Sequence, residues 1–171
     1  MELTVPTKRE AIAILDRGDR AVRRLVDALP PPARTLTGIG SGAWSPLDLV
    51  GHLASWERHA LEALDAWARG ERAPLDRALE FRGLHGLNAD NLAAAAVLRP
   101  AALLRQSRDT HADLVTAVRS IPADAWVRPP LTRGRPLALR VGSILGGPKG
   151  PFRHADAHLP SLHEFVAMHA R

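Results

Sequence analysis

Apolar residues recur along this chain at helical spacing, and no stretch sustains the alternation of a strand. Leu15, Val22, Val26 and Leu29 repeat at seven, four and three, with Arg17, Arg20 and Arg24 outside the stripe. A first helix is therefore expected to open at Thr7, where Thr7 and Glu10 have capping-box spacing, and to stop at Pro30-Pro31-Pro32. A loop with Gly38, Gly40 and Gly42 follows. The second helix has the clearest start in the chain. Ser45 is the N-cap, Pro46 sits where a missing N–H costs nothing, and Asp48 favours the positive helix end. It is expected to run to about Arg69, with Gly70 ending it. Leu49, Val50, Leu53, Ala60, Leu61, Leu64 and Trp67 fall in one arc of it, which is the core side.

The stretch from Pro74 reads as a connection that becomes helical from about Asn88, through the alanine run 93–96. A further helix begins at Pro100 and ends before Pro122, with Leu104, Ser107, His111, Leu114, Val118 and Ile121 on a seven-residue repeat. Residues 127–150 are rich in proline, glycine and arginine and read as a long loop, a length that often carries function. The last helix is expected from near Pro151 to about Met168, with Pro160 removing a backbone bond or kinking it. The sum is an all-α protein: a four-helix bundle with a long crossover and an additional short connecting helix, as one domain over residues 1–171.

Composition narrows the function classes. Hydrophobic residues make up 46% and charged residues 24% of 171, ordinary for a globular domain able to bury a core. No run of about 18 apolar residues suggests a membrane span, and the stretch 1–8 is too polar for a leader. The absence of cysteine removes disulfides, thiolate ligands and a cysteine nucleophile, and fits a cytoplasmic protein. Net charge is +5, nearly all of it arginine, yet the arginines are interleaved with acids, as in Asp16-Arg17-Gly18-Asp19-Arg20. A surface that tracks phosphates needs concentrated charge, so nucleic acid is not expected as a partner and a small-molecule substrate is.

Three histidines look chosen rather than scattered. His154 and His158 are four apart, on one face of the last helix and at the edge of its apolar side. His52 lies at the margin of the apolar arc of the second helix, next to Trp56. A site at a bundle mouth would sit at such margins, and imidazoles so placed suit a divalent metal. Asp48, one turn before His52, serves the helix start and is also a candidate to orient the second ring nitrogen of His52. Trp44 is a candidate border of the pocket. Glu57 falls inside the apolar arc, where an unpaired carboxylate is costly. Pairing with a core arginine is its expected role, and acid/base catalysis near the site the alternative. His111, inside an apolar stripe, is expected to be a satisfied core histidine.

The segment Trp44-Ser45-Pro46-Leu47-Asp48-Leu49-Val50-Gly51-His52-Leu53-Ala54-Ser55-Trp56-Glu57, followed by His154-x3-His158, resembles the DinB/YfiT-like superfamily. Leu87-Asn88 is similar to a branch of ClbS/DfsB-like proteins. The resemblance implies a four-helix bundle and a divalent metal, nickel or zinc, on His52, His154 and His158. It also implies a homodimer, and an activity such as thiol-dependent S-transfer or isomerisation. Pro160, two residues after the last of these histidines, departs from the pattern. Three imidazoles leave an ion's charge intact and a coordination position open, which favours a Lewis-acid site. The nucleophile is then water or an external low-molecular-weight thiol. Arg128, Arg133, Arg135 and Arg140 are expected to belong to a solvated loop, with a lid that reads carboxylates of such a cofactor as the alternative. The competing class is a non-enzymatic binding or stress-response module on the same fold.

Overall fold

Reciprocal caps open the first two helices. In α1 (Lys8–Asp27) the Thr7 hydroxyl accepts from the Glu10 amide at 3.2 Å, and the Glu10 carboxylate accepts from the Thr7 amide at 2.8 Å. In α2 (Pro46–Ala68) the same exchange links Ser45 and Asp48 at 3.1 and 2.8 Å. Each such cap is worth about 1 kcal/mol. Gly70 closes the end of α2 with φ +69°, a left-handed conformation that costs glycine nothing. The computed structural model describes residues 5–170, so the first half of the N-terminal stretch 1–8 weighed as a leader lies outside the described residues.

The middle of the chain differs from expectation. Helix α3 spans Pro74–Ala96, not just the residues after Asn88, and is broken at Gly83 (φ 64°, ψ 172°). It packs on α2 and buries few of its own residues, chiefly Leu87 and Ala95, so it carries no broad apolar stripe. Arg82 grips Asp90 with two bonds of 2.7 Å across the break. Helix α4 (Pro100–Ser120) follows as expected and buries Ser107, Leu114 and Val118 of the repeat. The expected loop holds structure: α5 (Ala123–Trp126), a hairpin of β1 (Leu131–Thr132) and β2 (Arg135–Pro136), and α6 (Val141–Gly146). Arg133 and Gly134, both at positive φ, supply the tight turn, and two-residue strands are too short to show alternation. A 3-10 turn at Pro151–Arg153 leads into α7 (His154–His169), which continues through Pro160.

Helix α2 packs on α3 and α4, and α1 on α7 and α6, giving an all-α bundle with the hairpin as its sole sheet among the described residues. One core cluster gathers Leu15, Leu114, Val118, Trp126, Leu145 and Phe152. A second gathers Val26, Leu29, Leu49, Val50, Leu162 and Phe165, and a small third joins Leu47, Ala95 and Leu103. Burying each large side chain stabilises by about 1.5–3 kcal/mol. Two glycines allow close helix approaches. A Cβ at Gly51 would lie 2.6 Å from that of Ala95, and one at Gly18 would lie 2.9 Å from that of Ala155. No described helix is long and apolar enough to cross a membrane.

Candidate functional site

Two turns past its cap, α2 presents His52; α7 presents His154 at its first residue and His158 one turn later. The structure brings all three together. His154 Nε2 lies 3.0 Å from His52 Nε2 and 3.0 Å from His158 Nε2, and ligand atoms of the three all lie within 4.8 Å of one another. Pro160 therefore does not turn His158 away. A neutral imidazole nitrogen is either one donor or one acceptor, so His154 Nε2 can hydrogen-bond to only one of its two neighbours and the other close contact is left without a bond. A cation at the common point removes that conflict, and nitrogens 2.0–2.1 Å from one tetrahedral zinc stand about 3.3 Å apart, within a few tenths of an ångström of the spacing here.

Aromatic rings enclose the cluster. Trp44 lies 4.5 Å from the His52 ring centroid and stacks on His158 at 5.9 Å. Its carbonyl accepts from the Gly38 and Ile39 amides at 3.0 and 2.9 Å, which pins the loop that carries it. Trp56 lies 5.5 Å from His154 and 6.4 Å from His52, and its indole N–H donates to Asn88 Oδ1 at 3.3 Å. The packing has an electrostatic effect. Burial, then the charges of His154 and His158, drive the His52 pKa down to about 3. Burial, then His158, takes His154 down to about 4, and burial lowers His158. All three are neutral at pH 7, the form that ligates metals.

Asp48 does not orient His52. Its Oδ2 is occupied by the amide and the hydroxyl of Ser45, each at 2.8 Å, and His52 Nδ1 is buried without a hydrogen-bond partner. The capping box has claimed the carboxylate, so its role is the helix start alone.

Glu57 meets a histidine, not the expected arginine. His111 Nδ1 lies 3.2 Å from Glu57 Oε1, and His111 Nε2 lies 3.0 Å from Asp16 Oδ1. Asp19 holds Arg23 at 2.7 and 2.8 Å, and Arg23 reaches the Ser107 hydroxyl at 3.4 Å. Burial opposes a charge on His111, but Glu57, Asp19 and Asp16 outweigh it and push its pKa up to about 9. Burial pushes the Glu57 carboxyl up, against the pull of His111. Asp19, Glu57 and His111 are close enough to hold an ion, yet an imidazolium with both N–H groups engaged has no lone pair to offer. The signal for this network was two polar residues, Glu57 and His111, each inside an apolar arc on a different helix. A small cavity of about 30 Å³, room for one or two waters, is lined by both Glu57 and His154.

A larger pocket of about 480 Å³ opens beside the triad, with Trp56, Trp67, Arg153 and His154 in its lining. None of Arg128, Arg133, Arg135 or Arg140 lines it. Arg128 pairs with Asp124 on the surface, and Arg133 and Arg135 belong to the hairpin, where the Arg133 amide donates to the Gly70 carbonyl at 2.8 Å. The alternative of an arginine lid is thus not realised at this pocket. Of the remaining histidines, His59 sits between Glu62 and Asn91, His169 stacks on Phe165, and His85 and His163 are exposed.

Fold and site together describe a helical bundle with a histidine triad gathered between α2 and α7. The chain belongs to the DinB superfamily, whose family model matches residues 4–146. No curated protein matches it significantly by sequence. Among solved structures it is similar to the colibactin self-resistance protein ClbS in complex with double-stranded DNA, with TM-score 0.71 and 18% identity, over 94% of this chain and 98% of that one. It is also similar to an uncharacterised protein from Escherichia coli UTI89, with TM-score 0.65 and 19% identity, over 94% and 95% of the two chains. The first of these corrects the expectation that nucleic acid is an unlikely partner. A protein of this fold is found in complex with duplex DNA, so the fold itself is compatible with such a partner.

Proposed function

We propose that this protein is a divalent-metal-dependent enzyme with His52, His154 and His158 as ligands and nickel or zinc as the ion. The convergence of three neutral imidazole nitrogens around His154 Nε2, with a proton conflict that a cation resolves, carries this reading. An ion held there supplies Lewis acidity and a lowered pKa for an attached water or thiol. The chain's own residues hold the imidazoles neutral by burial, and Trp44 and Trp56 shield them from bulk water. Having no cysteine, the chain provides no thiol, so a thiol nucleophile comes from a low-molecular-weight donor. Metal analysis of purified protein after nickel or zinc loading, beside His52→Ala, tests the ligand set: about one ion per chain is expected in the wild type and none in the variant. Equal, negligible metal in both overturns it. Metal-dependent conjugation of cellular thiols to an electrophile tests the chemistry; its absence with every thiol favours a non-enzymatic module.

A second reading, duplex binding, is favoured by the similarity to ClbS in complex with DNA and by the net charge of +5. Steeply salt-dependent retardation of a duplex oligonucleotide is the expected sign, because bound phosphates release counterions.

A further inference from the structure

We infer that the 480 Å³ pocket beside the triad binds a small organic anion, its oxyanion held by Arg153 and Trp67 and its apolar body against the pocket wall. This names a substrate class for the site proposed above and rests on that reading.

Two buried donors that line this pocket have no acceptor within the protein: Arg153 Nε and Trp67 Nε1. Buried N–H groups in folded proteins nearly always have partners; both of these are closed off from solvent in side chains that line the cavity, so a small turn of either side chain brings its N–H to an acceptor bound there. Arginine offers Nε and a terminal nitrogen side by side, the fork that takes both oxygens of a carboxylate or phosphate. Lys149 also lines the pocket and adds positive charge. Arg153 is the N-cap of α7 and makes no side-chain cap bond, so the positive end of a 16-residue helix adds to the same field. The acid in the lining, Asp76, lies 3.8 Å from Arg72, which offsets its charge.

Apolar side chains supply most of the remaining wall, among them Trp56, Leu75, Leu84 and Ile144. The volume falls in the range of small-molecule sites. Because His154 follows Arg153 in the chain and both line the pocket, an anion anchored on Arg153 lies next to the triad. The arginine sought in the loop after α5 is thus found at the entry to α7.

The test titrates metal-free, full-length protein with 3-phenylpropionate, phenyl phosphate and 3-phenylpropanamide, read by tryptophan fluorescence and calorimetry. Working without metal prevents the anion from binding through an ion. At least one of the two anions is expected to bind about tenfold or more tightly than the neutral amide, since charge-assisted bonds are roughly twice as strong as neutral ones. Which anion it is separates carboxylate from phosphate ligands. Arg153→Gln removes the preference, and Trp67→Phe, which keeps the ring, weakens it about three- to tenfold. Circular dichroism melts establish that both variants fold. Equal binding of anion and amide overturns the inference, as does an Arg153→Gln variant that retains the preference. Arg153-dependent binding of a DNA duplex with no binding of either small anion also overturns it. The preference is measured without metal and metal content without anion, so the failure of one reading is distinguishable from the failure of the other.

Discussion

Histidine occupies two kinds of place between the helices of this bundle. Around His111, α1, α2 and α4 contribute Asp16, Asp19, Glu57, Arg23 and Ser107, and both ring nitrogens face carboxylates at 3.0 and 3.2 Å. Around His154, α2 and α7 contribute imidazoles and the Trp56 ring in place of carboxylates, with a buried nitrogen of His52 left unpartnered. The acids in the first set hold a proton on the histidine; burial without acids keeps protons off the second. The same residue type therefore binds helices together in one place and offers lone pairs in the other. What surrounds the ring decides which.

Substitutions can break this contrast. The largest effect is expected from His154→Ala, which removes the nitrogen shared by both close contacts and should lower nickel or zinc affinity more than a hundredfold, beyond the loss of an outer partner. Competition with a chromophoric chelator reads it, and metal retained at wild-type affinity would end the ligand assignment. His111→Leu should leave metal content unchanged and cost about 3 kcal/mol in urea unfolding, because Glu57 is left buried without its partner. If instead the variant loses metal, the two clusters are not independent.

The pH dependence of stability is the next effect in size. A histidine whose pKa is raised on folding stabilises fully below its unfolded value near 6.5, and that contribution is lost as pH rises through about 9. Asp16 and Asp19 of α1 and Glu57 of α2 face this proton, with Arg23 opposing it. Urea midpoints of metal-free protein should fall between pH 7 and 10 by the equivalent of about 2 kcal/mol, and His111→Gln should flatten the curve. The smallest effect is that of Asp48→Ala, expected to cost about 1 kcal/mol of helix capping with metal affinity unchanged. A fall in affinity of tenfold or more would return Asp48 to the neighbourhood of His52.

Much of this arrangement was legible in the sequence where a local signal existed. Thr7, Ser45, Pro46 and Pro100 mark helix starts because capping and proline chemistry act within a turn. His52, His154 and His158 drew attention because each lies at the margin of an apolar face, and margins of packed helices meet. The part of α3 before Asn88 was missed because the helix packs mainly on α2 and needs only a narrow buried stripe. The partner of Glu57 was missed because its choice is tertiary: α4 brings His111 to it from 54 positions away. Asp48 was ambiguous because one carboxylate suited two roles, and local capping took it. The question of nucleic acid turned on charge order along the chain, which does not report charge distribution in space.

The glycine approaches carry a consequence for ion choice. Gly51 precedes His52, and its close neighbour is Ala95; Ala155 follows His154, and its close neighbour is Gly18. Both histidine-bearing helices are thus seated on their neighbours one residue from the ring that matters. The spacing between the imidazoles is a calibration held by small residues that lie outside the triad. Gly18→Ala or Gly51→Ala would shift α7 or α2 by tenths of an ångström, enough to re-rank ions of different radius without removing a single donor. Selectivity in this bundle would then drift through its smallest residues while the histidines stay in place.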